Sequence, residues 1–108
     1  MNDKMKLIQQ LYECVRACHH CASECLNEDA TMMANCIRTD LDCADICLVT
    51  AGLLSRNSKH GKHLLSECIE ICTICANECE KHDDDHCKKC AEECRKCIEA
   101  CKSFQEAA

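Results

Sequence analysis

The sixteen cysteines of this 108-residue sequence recur with the period of an α-helix. Within each of four groups, neighbouring cysteines are three, four or seven residues apart, which places them on one side of a helix with about 3.6 residues per turn. The groups are Cys14, Cys18, Cys21 and Cys25; Cys36, Cys43 and Cys47; Cys68, Cys72, Cys75 and Cys79; and Cys87, Cys90, Cys94, Cys97 and Cys101. The spacing predicts four helices, at roughly 4–26, 31–55, 61–81 and 85–104, each with a cysteine-lined face.

The composition favours an all-α fold with a core made largely of sulfur. The chain has no proline, two glycines, one tyrosine and one phenylalanine, which leaves little turn or strand chemistry. Leu, Ile, Val and Phe together number only nineteen. Since a free cysteine behaves as a small buried hydrophobic residue, the thiols are needed to complete the interior.

The two halves of the chain repeat each other at an offset of 54 residues. Each of the seven cysteines of the first half coincides with a cysteine of the second half, beginning with Cys14 and Cys68 and ending with Cys47 and Cys101. The short connections between helices make sequential helices antiparallel neighbours. We therefore expect residues 1–108 to form a single domain, an antiparallel four-helix bundle built from a duplicated helical hairpin.

Antiparallel pairing predicts which side chains share a level along the bundle. We expect Asp40 to occupy the one position among four levels that lacks a cysteine, and Cys87 to lie one level further out, opposite Met33. The four levels are Cys14, Cys47, Cys68 and Cys101; Cys18, Cys43, Cys72 and Cys97; Cys21, Asp40, Cys75 and Cys94; and Cys25, Cys36, Cys79 and Cys90. As a buried carboxylate, Asp40 is expected to accept hydrogen bonds from thiols or to reach water, and a direct metal role is less favoured.

A column of thiols is suited to soft metal ions. Thiolates prefer Cu(I), Zn(II) and iron–sulfur clusters to hard cations, and pairs three or four residues apart on a helix can converge on one two-coordinate ion. Sixteen Cu(I) ions would neutralise sixteen thiolates, whereas four zinc ions would leave eight buried negative charges, which are costly. All sixteen cysteines are therefore candidate ligands for multiple Cu(I) ions, and a zinc or mixed d¹⁰-metal buffer resembling metallothionein is the alternative.

Other function classes fit the sequence less well. The C-x2-C pairs lack the strand-to-helix context of thioredoxin-like enzymes, so no enzymatic role is expected. The formal net charge of −6 and a pI near 5.4 argue against nucleic acid. The polar first residues and the lack of a long apolar run predict neither export nor a membrane partner, and many reduced thiols favour the cytoplasm.

The two ends of the predicted bundle differ in chemistry. One end carries Met32, Met33, His82 and His86, a candidate metal entrance, although these residues could equally cap the core or lie in solvated loops. The other end carries an apolar plug of Leu7, Leu11, Leu54, Leu64, Leu65 and Phe104. Four further histidines, His19, His20, His60 and His63, are expected to lie outside the metal column.

The second helix carries more apolar side chains than one core face requires. A second stripe contains Ile37, Leu41, Ala44, Leu48 and Ala51, with Ile46 and Val49 further round. An apolar surface wider than one core face indicates a partner. We therefore expect helix 2 to form much of an interface between copies of the chain.

The repeated C-x3-C-x2-C-x3-C pattern of helices 1, 3 and 4 resembles that of the bacterial four-helix-bundle copper storage proteins, which have cysteine-lined cores. The resemblance extends from Cys14 to Cys101 and thus covers nearly the whole chain. It implies a cytosolic homotetramer of bundles, each holding Cu(I) on paired thiolates. Asp40 departs from the all-cysteine pattern, and neither the copper donor nor the acceptor follows from the resemblance.

Overall fold

The structure, a computed structural model, describes residues 2–107 as four α-helices joined by short connections. Helix α1 is Asp3–Cys25, α2 is Ala30–Ser55, α3 is Gly61–Cys79 and α4 is Asp85–Ala107. The described residues include no strand, so the all-α prediction is confirmed. Two ends were placed wrongly: α3 stops at Cys79 instead of residue 81, and α4 continues beyond residue 104 to Ala107.

Side chains at the helix ends explain where the first two helices begin. The side-chain oxygen of Asn2 accepts a hydrogen bond from the backbone nitrogen of Met5 at 2.8 Å. Asp29 accepts bonds from the backbone nitrogens of Thr31 and Met32 at 3.0 and 3.3 Å. These oxygens satisfy amide groups that have no partner within the first helical turn, a contribution of typically about 1 kcal/mol each.

Helix α2 ends at a turn that only a few residue types adopt easily. Asn57 has a positive φ of 56°, and the next amide, that of Ser58, donates to the carbonyl of Leu53 at 2.9 Å. This is the hydrogen bond of a Schellman motif, in which asparagine is one of the residues that tolerate the left-handed conformation. The turn reverses the chain and starts the second hairpin.

The four helices form a closed ring around one central axis. Helix α1 packs on α2, α2 on α3, α3 on α4 and α4 on α1, so α1 faces α3 and α2 faces α4 across the core. The molecule measures 42 × 21 × 18 Å, close to the length of one long helix. Between residues 2 and 107, no helix is both long enough and apolar enough to cross a lipid bilayer.

The two ends of the bundle differ as predicted. The start of α1, the end of α4 and the α2–α3 turn form one end of the bundle, which we call the plug end. At this end Leu7, Leu11, Leu54 and Leu65 are buried. Leu64 and Phe104 are only half-buried at this end. The α1–α2 and α3–α4 connections form the opposite end, which we call the mouth. The cysteines fill the bundle between plug and mouth.

The apolar stripe expected at an interface on α2 is only partly exposed. Ala44 and Ala51 are buried within the bundle and cannot contribute to an outer surface. Leu41 and Leu48, by contrast, are 46% and 49% exposed. The short alanine side chains stay within the bundle while the longer leucines project beyond it, so the exposed apolar surface of α2 is narrower than the sequence predicted.

Candidate metal centre

Every cysteine of the chain lies in the interior. All sixteen have no exposed surface, and all are free thiols. The helical spacing accounts for this arrangement, because each cysteine group follows the buried side of its own helix. The bundle therefore encloses a continuous column of sulfur, which we call the thiol column.

Thiols from different helices approach one another closely along the thiol column. The Sγ atoms of Cys43 and Cys72 are 3.4 Å apart, and those of Cys47 and Cys72 are 3.6 Å apart. Cys14 lies 3.7 Å from Cys43, and Cys18 lies 3.7 Å from Cys90. These contacts connect all four helices through their sulfurs.

Helices that face each other across the core are displaced along the axis, contrary to the expected levels. Cys14 groups with Cys72 instead of its repeat counterpart Cys68, which lies four residues earlier in α3. Likewise Cys43 lies 3.9 Å from Cys94, which precedes its counterpart Cys97 by three residues. Both differences correspond to a displacement of about one helical turn between facing helices. The adjacent helices α2 and α3 keep the expected partners, because Cys47 lies 3.7 Å from Cys68 and Cys36 lies 3.7 Å from Cys79. The sulfurs therefore alternate in height, and the planar levels of four predicted from the repeat are wrong.

This displacement brings Cys87 into the thiol column. Cys87 was expected one level beyond the other cysteines, opposite Met33, but its Sγ lies 3.9 Å from the Sγ atoms of both Cys21 and Cys36. Cys87 has no counterpart in the first half of the chain, since the equivalent position is Met33. Through the displacement of α4 relative to α2, it supplies the sulfur near Cys36 that Cys90 was expected to supply.

Groups of four thiols close enough to share one metal ion overlap along the column. In each group all sulfurs lie within 4.8 Å of one another: Cys14, Cys43, Cys47 and Cys72; Cys14, Cys18, Cys43 and Cys94; Cys18, Cys75, Cys90 and Cys94; Cys47, Cys68, Cys72 and Cys97; and Cys21, Cys25, Cys36 and Cys87. Several cysteines belong to two groups. Separate four-thiolate sites would compete for these sulfurs, whereas ions that share bridging thiolates would not.

Asp40 is the only carboxylate within the column among the described residues, and thiols surround it. Its Oδ1 accepts hydrogen bonds from Cys75, Cys79 and Cys90 at 3.3, 3.4 and 3.3 Å, and its Oδ2 accepts one from Cys36 at 3.9 Å. Burial, reinforced by the negative charge of neighbouring sulfurs, raises the pKa of Asp40 far above its usual range. The expected thiol hydrogen bonds are present, and Cys75, which was expected at the same level as Asp40, makes one of them.

At the mouth, His86 faces the thiol column directly. Its Nδ1 lies 3.5 Å from the sulfur of Cys87, 3.6 Å from that of Cys21 and 3.9 Å from that of Cys25. The side chain is only 11% exposed. His86 occupies the first turn of α4, so the helix start carries an imidazole over the outermost sulfurs. Nitrogen and sulfur donors together form a site suited to a soft ion.

The other candidate entrance residues are arranged differently. Met33 is buried near the mouth, whereas Met32 is 71% exposed. The Nε2 atom of His82 lies 3.1 Å from a carboxylate oxygen of Glu78, one turn earlier in the chain. Of the four candidates, His86 alone is in hydrogen-bonding contact with a cysteine. The remaining histidines, His19, His20, His60 and His63, are exposed.

The outermost thiols differ in their tendency to ionise. Hydrogen bonds from Cys36 and Cys79 stabilise the thiolate of Cys21 and lower its pKa to about 6. Burial raises the pKa of Cys25 and of Cys87, and the negative charge of Cys21 raises both further. Among the three sulfurs that contact His86, only that of Cys21 has a lowered pKa.

Deeper thiols show the same alternation of donors and acceptors. Hydrogen bonds from Cys18 and Cys43 lower the pKa of Cys14, whereas the bond to Cys14 raises the pKa of Cys18. A thiol that donates to a thiolate keeps its proton, and the thiolate is stabilised in return. Part of the column therefore carries protons that an incoming cation must displace.

Proteins with similar sequences and the same fold are known. The chain is 40% identical over 85 residues to the uncharacterized cysteine-rich protein YhjQ of Bacillus subtilis (strain 168), an alignment covering 78% of this chain and 79% of that protein. A Cu(I)-bound copper storage protein, BsCsp3, superimposes with a TM-score of 0.91 at 37% identity, covering 96% of this chain and 99% of that one.

A second solved structure extends the likeness. The copper storage protein Ccsp of Streptomyces lividans, loaded with 10 copper equivalents, superimposes with a TM-score of 0.93 at 36% identity over 98% of this chain and 86% of that one. The family model of the copper storage proteins, Csp, matches residues 1–106. Because that match spans nearly the whole sequence, the chain belongs to the copper storage protein family.

Proposed function

We propose that this protein stores multiple Cu(I) ions on the sulfurs of its thiol column. The observation that carries the proposal is the overlap of the four-thiol groups, in which Cys14 and Cys43 each belong to two groups. A thiolate can bridge two Cu(I) ions, so shared sulfurs increase the number of ions that the column holds. Copper here is the cargo of the protein.

Charge favours many monovalent ions over a few divalent ones. Sixteen buried thiolates are neutralised by sixteen Cu(I) ions, but four zinc ions in separate four-thiolate sites leave eight negative charges in a closed interior. Tetrahedral zinc with bonds of about 2.3 Å needs sulfurs roughly 3.8 Å apart, which several contacts would allow. The zinc alternative is therefore disfavoured by charge and by the sharing of sulfurs, not by distance.

Loading exchanges protons for copper. Each Cu(I) that binds a neutral thiol displaces its proton. Copper keeps its oxidation state throughout, because only ligands are exchanged. The core charge then stays close to constant as the store fills, so later ions do not meet a growing positive charge.

Copper enters the thiol column at the mouth. His86 contacts Cys21, Cys25 and Cys87. Among the described contacts, no side chain at the plug end places a similar soft donor against the column. The exposed thioether of Met32 and the imidazole of His82 lie at the same end and can receive an ion without losing a proton. Their role is to pass copper toward His86.

The storage role is non-catalytic, and we propose a cytosolic location. Sixteen reduced thiols persist only in a reducing compartment, since an oxidising one would favour disulfides. One of the similar solved structures is described as a cytosolic copper storage protein from Streptomyces lividans; it is 37% identical to this chain and covers 96% of it.

We further propose that the bundle forms a homotetramer through an apolar surface on α1 and α2. Met5 and Tyr12 lie seven residues apart on α1, and Leu41 and Leu48 lie seven residues apart on α2; all four are about half exposed. A spacing of seven keeps each pair on one side of its helix. We call these four residues the α1–α2 face, and light scattering of the intact protein measures whether it assembles.

An anaerobic titration tests the storage proposal. Reduced protein is titrated with Cu(I) and, separately, with Zn(II), and bound metal, free thiol and helicity are measured. Storage predicts close to one Cu(I) per thiol for sixteen thiols, with the helical signal retained. Saturation with four or fewer Cu(I) ions, or a higher affinity for Zn(II) than for Cu(I), would contradict the storage proposal.

A further inference from the structure

His86 connects two different environments through its two ring nitrogens. Its Nδ1 faces the sulfurs of Cys21, Cys25 and Cys87. Its Nε2 faces outward, 3.4 Å from Oδ2 of Asp84 and 3.7 Å from Oε1 of Glu28. The Nε2 atom is shielded from solvent and makes no hydrogen bond of acceptable geometry. Buried polar atoms normally have a hydrogen-bond partner. A small movement of either carboxylate would give Nε2 one.

The position of the proton on the imidazole ring decides which of its nitrogens can bind a metal ion. A neutral histidine carries one proton, and the nitrogen without it supplies the lone pair that binds a metal. A carboxylate beside one nitrogen favours the tautomer with the proton there, and metal-binding histidines commonly have such a partner on the far side of the ring. With the proton on Nε2, the lone pair of His86 is directed from Nδ1 toward the column.

We propose that Asp84, assisted by Glu28, is a positioning residue that holds His86 in the Nε2–H tautomer and aims its Nδ1 lone pair at the outermost thiols. The inference rests on the proposed copper function, which it deepens by naming the residues that prepare the first stop for Cu(I). An arriving ion breaks a bond to its carrier ligand and forms one to Nδ1, with no change of oxidation state and no proton released by the ring. It then moves to Cys21, Cys25 or Cys87.

The position of Asp84 in the chain determines how the proposal is tested. Asp84 directly precedes α4, and its carbonyl accepts the backbone hydrogen bond of Lys88 at 3.0 Å. Replacement by alanine would leave the position before the helix without the side-chain oxygen that is preferred there. Asp84→Ser keeps a capping oxygen but is too short to reach the ring, and Asp84→Asn keeps an acceptor of the original length without its charge. Asp83→Ser, at the neighbouring exposed acidic position, is the matched control.

Two measurements on the intact chain distinguish positioning from a general effect of charge. Long-range proton–nitrogen NMR of the metal-free protein reports the tautomer of His86. Stopped-flow mixing with a Cu(I)–chelator complex reports the rate of copper uptake, and equilibrium titration reports capacity. For Asp84→Ser combined with Glu28→Gln, we expect a mixture of tautomers and uptake slowed about tenfold, a typical effect of losing such a partner. We expect Asp84→Asn to recover most of the rate, and Asp83→Ser to leave both readouts unchanged.

The outcomes separate this inference from the storage proposal. If the wild-type protein binds few Cu(I) ions at equilibrium, the storage proposal fails irrespective of these variants. If capacity is normal but the double variant keeps the Nε2–H tautomer and takes up copper within twofold of Asp83→Ser, the positioning role is overturned. Equal slowing by Asp84→Asn and Asp84→Ser would also overturn it, because charge alone would then explain the rate.

Discussion

The Sγ atoms of Cys43 on α2 and Cys72 on α3 are 3.4 Å apart, the shortest sulfur–sulfur contact among the described residues. Cys43 also lies 3.7 Å from Cys14 and 3.9 Å from Cys94. One sulfur near the middle of the column thus contacts all three other helices. In the proposed function such a sulfur bridges metal ions, so its removal affects more than one of them.

Replacing Cys43 with serine is therefore expected to lower the Cu(I) capacity by one to two ions. Serine occupies nearly the same space, so the fold is retained while a bridging ligand is lost. Metal analysis after saturation and gel filtration measures the change. Thr50→Ser is the control, because Thr50 is equally buried on the same helix but carries no sulfur. Unchanged capacity in Cys43→Ser would contradict the shared-thiolate account.

Replacing Asp40 with asparagine is expected to stabilise the metal-free protein at neutral pH. Burial raises the pKa of Asp40, so the folded protein keeps a proton that the unfolded chain loses above about pH 4. The unfolded state then binds fewer protons, and stability falls as pH rises, by up to about 1.4 kcal/mol per unit. Asparagine removes this loss and still accepts hydrogen bonds from the thiols.

Chemical unfolding of the reduced protein at several pH values between 4 and 7 tests this expectation. The advantage of Asp40→Asn should be small near pH 4 and grow with pH. Asp42→Asn, on the exposed side of the same helix, serves as the control and should show no such trend. A difference between Asp40→Asn and wild type that does not vary with pH would argue against a buried neutral carboxyl group.

The sequence predicted the contents of the core better than its axial arrangement. The period of the cysteines identifies the buried side of each helix, and all sixteen cysteines are buried. The repeat suggested that Cys14 and Cys68 share a level, yet Cys14 groups with Cys72. Helical periodicity determines the direction of a side chain around the axis, but sliding one helix along another leaves that direction unchanged after one full turn.

Packing between the facing helices accounts for the displacement. Four sulfurs at one height would meet at the axis and leave space between levels, whereas alternating heights let side chains interdigitate as protein interiors require. The unmatched Cys87 was a signal of the shift, because a cysteine without a repeat counterpart was needed at the level of Cys36. Asp84 and Glu28 lie in the connections between helices, and no sequence pattern places them beside His86, because their approach to that ring depends on the folded mouth.

Disrupting the α1–α2 face is expected to break the proposed tetramer. Leu48→Glu places a charge in the centre of an apolar contact, which would have to be buried without a partner. The mass in light scattering should fall toward the 12.1 kDa of one chain. Ile74→Glu provides the comparison, since Ile74 is similarly exposed at 52% but lies on α3. Retention of the wild-type mass in Leu48→Glu, or dissociation only in Ile74→Glu, would exclude this face.

The apolar plug is expected to stabilise the fold without contributing to metal capacity. Leu11 is fully buried at the plug end, and Leu11→Ala should lower the free energy of unfolding by about 2–5 kcal/mol. The number of Cu(I) ions at saturation should not change, because no ligand is lost. Leu26→Ala, at an exposed leucine of the same chain, should alter stability by less than about 0.5 kcal/mol. A lower capacity in Leu11→Ala would show that the plug is part of the store.

X-ray absorption at the copper edge of the fully loaded protein tests the central claim most directly. If Cu(I) fills the thiol column through shared sulfurs, each ion should have two or three sulfur neighbours, with further copper atoms close enough to scatter. The same sample should retain the helical signal of the metal-free protein. A first shell dominated by oxygen or nitrogen, or copper ions without copper neighbours, would contradict storage on bridging thiolates.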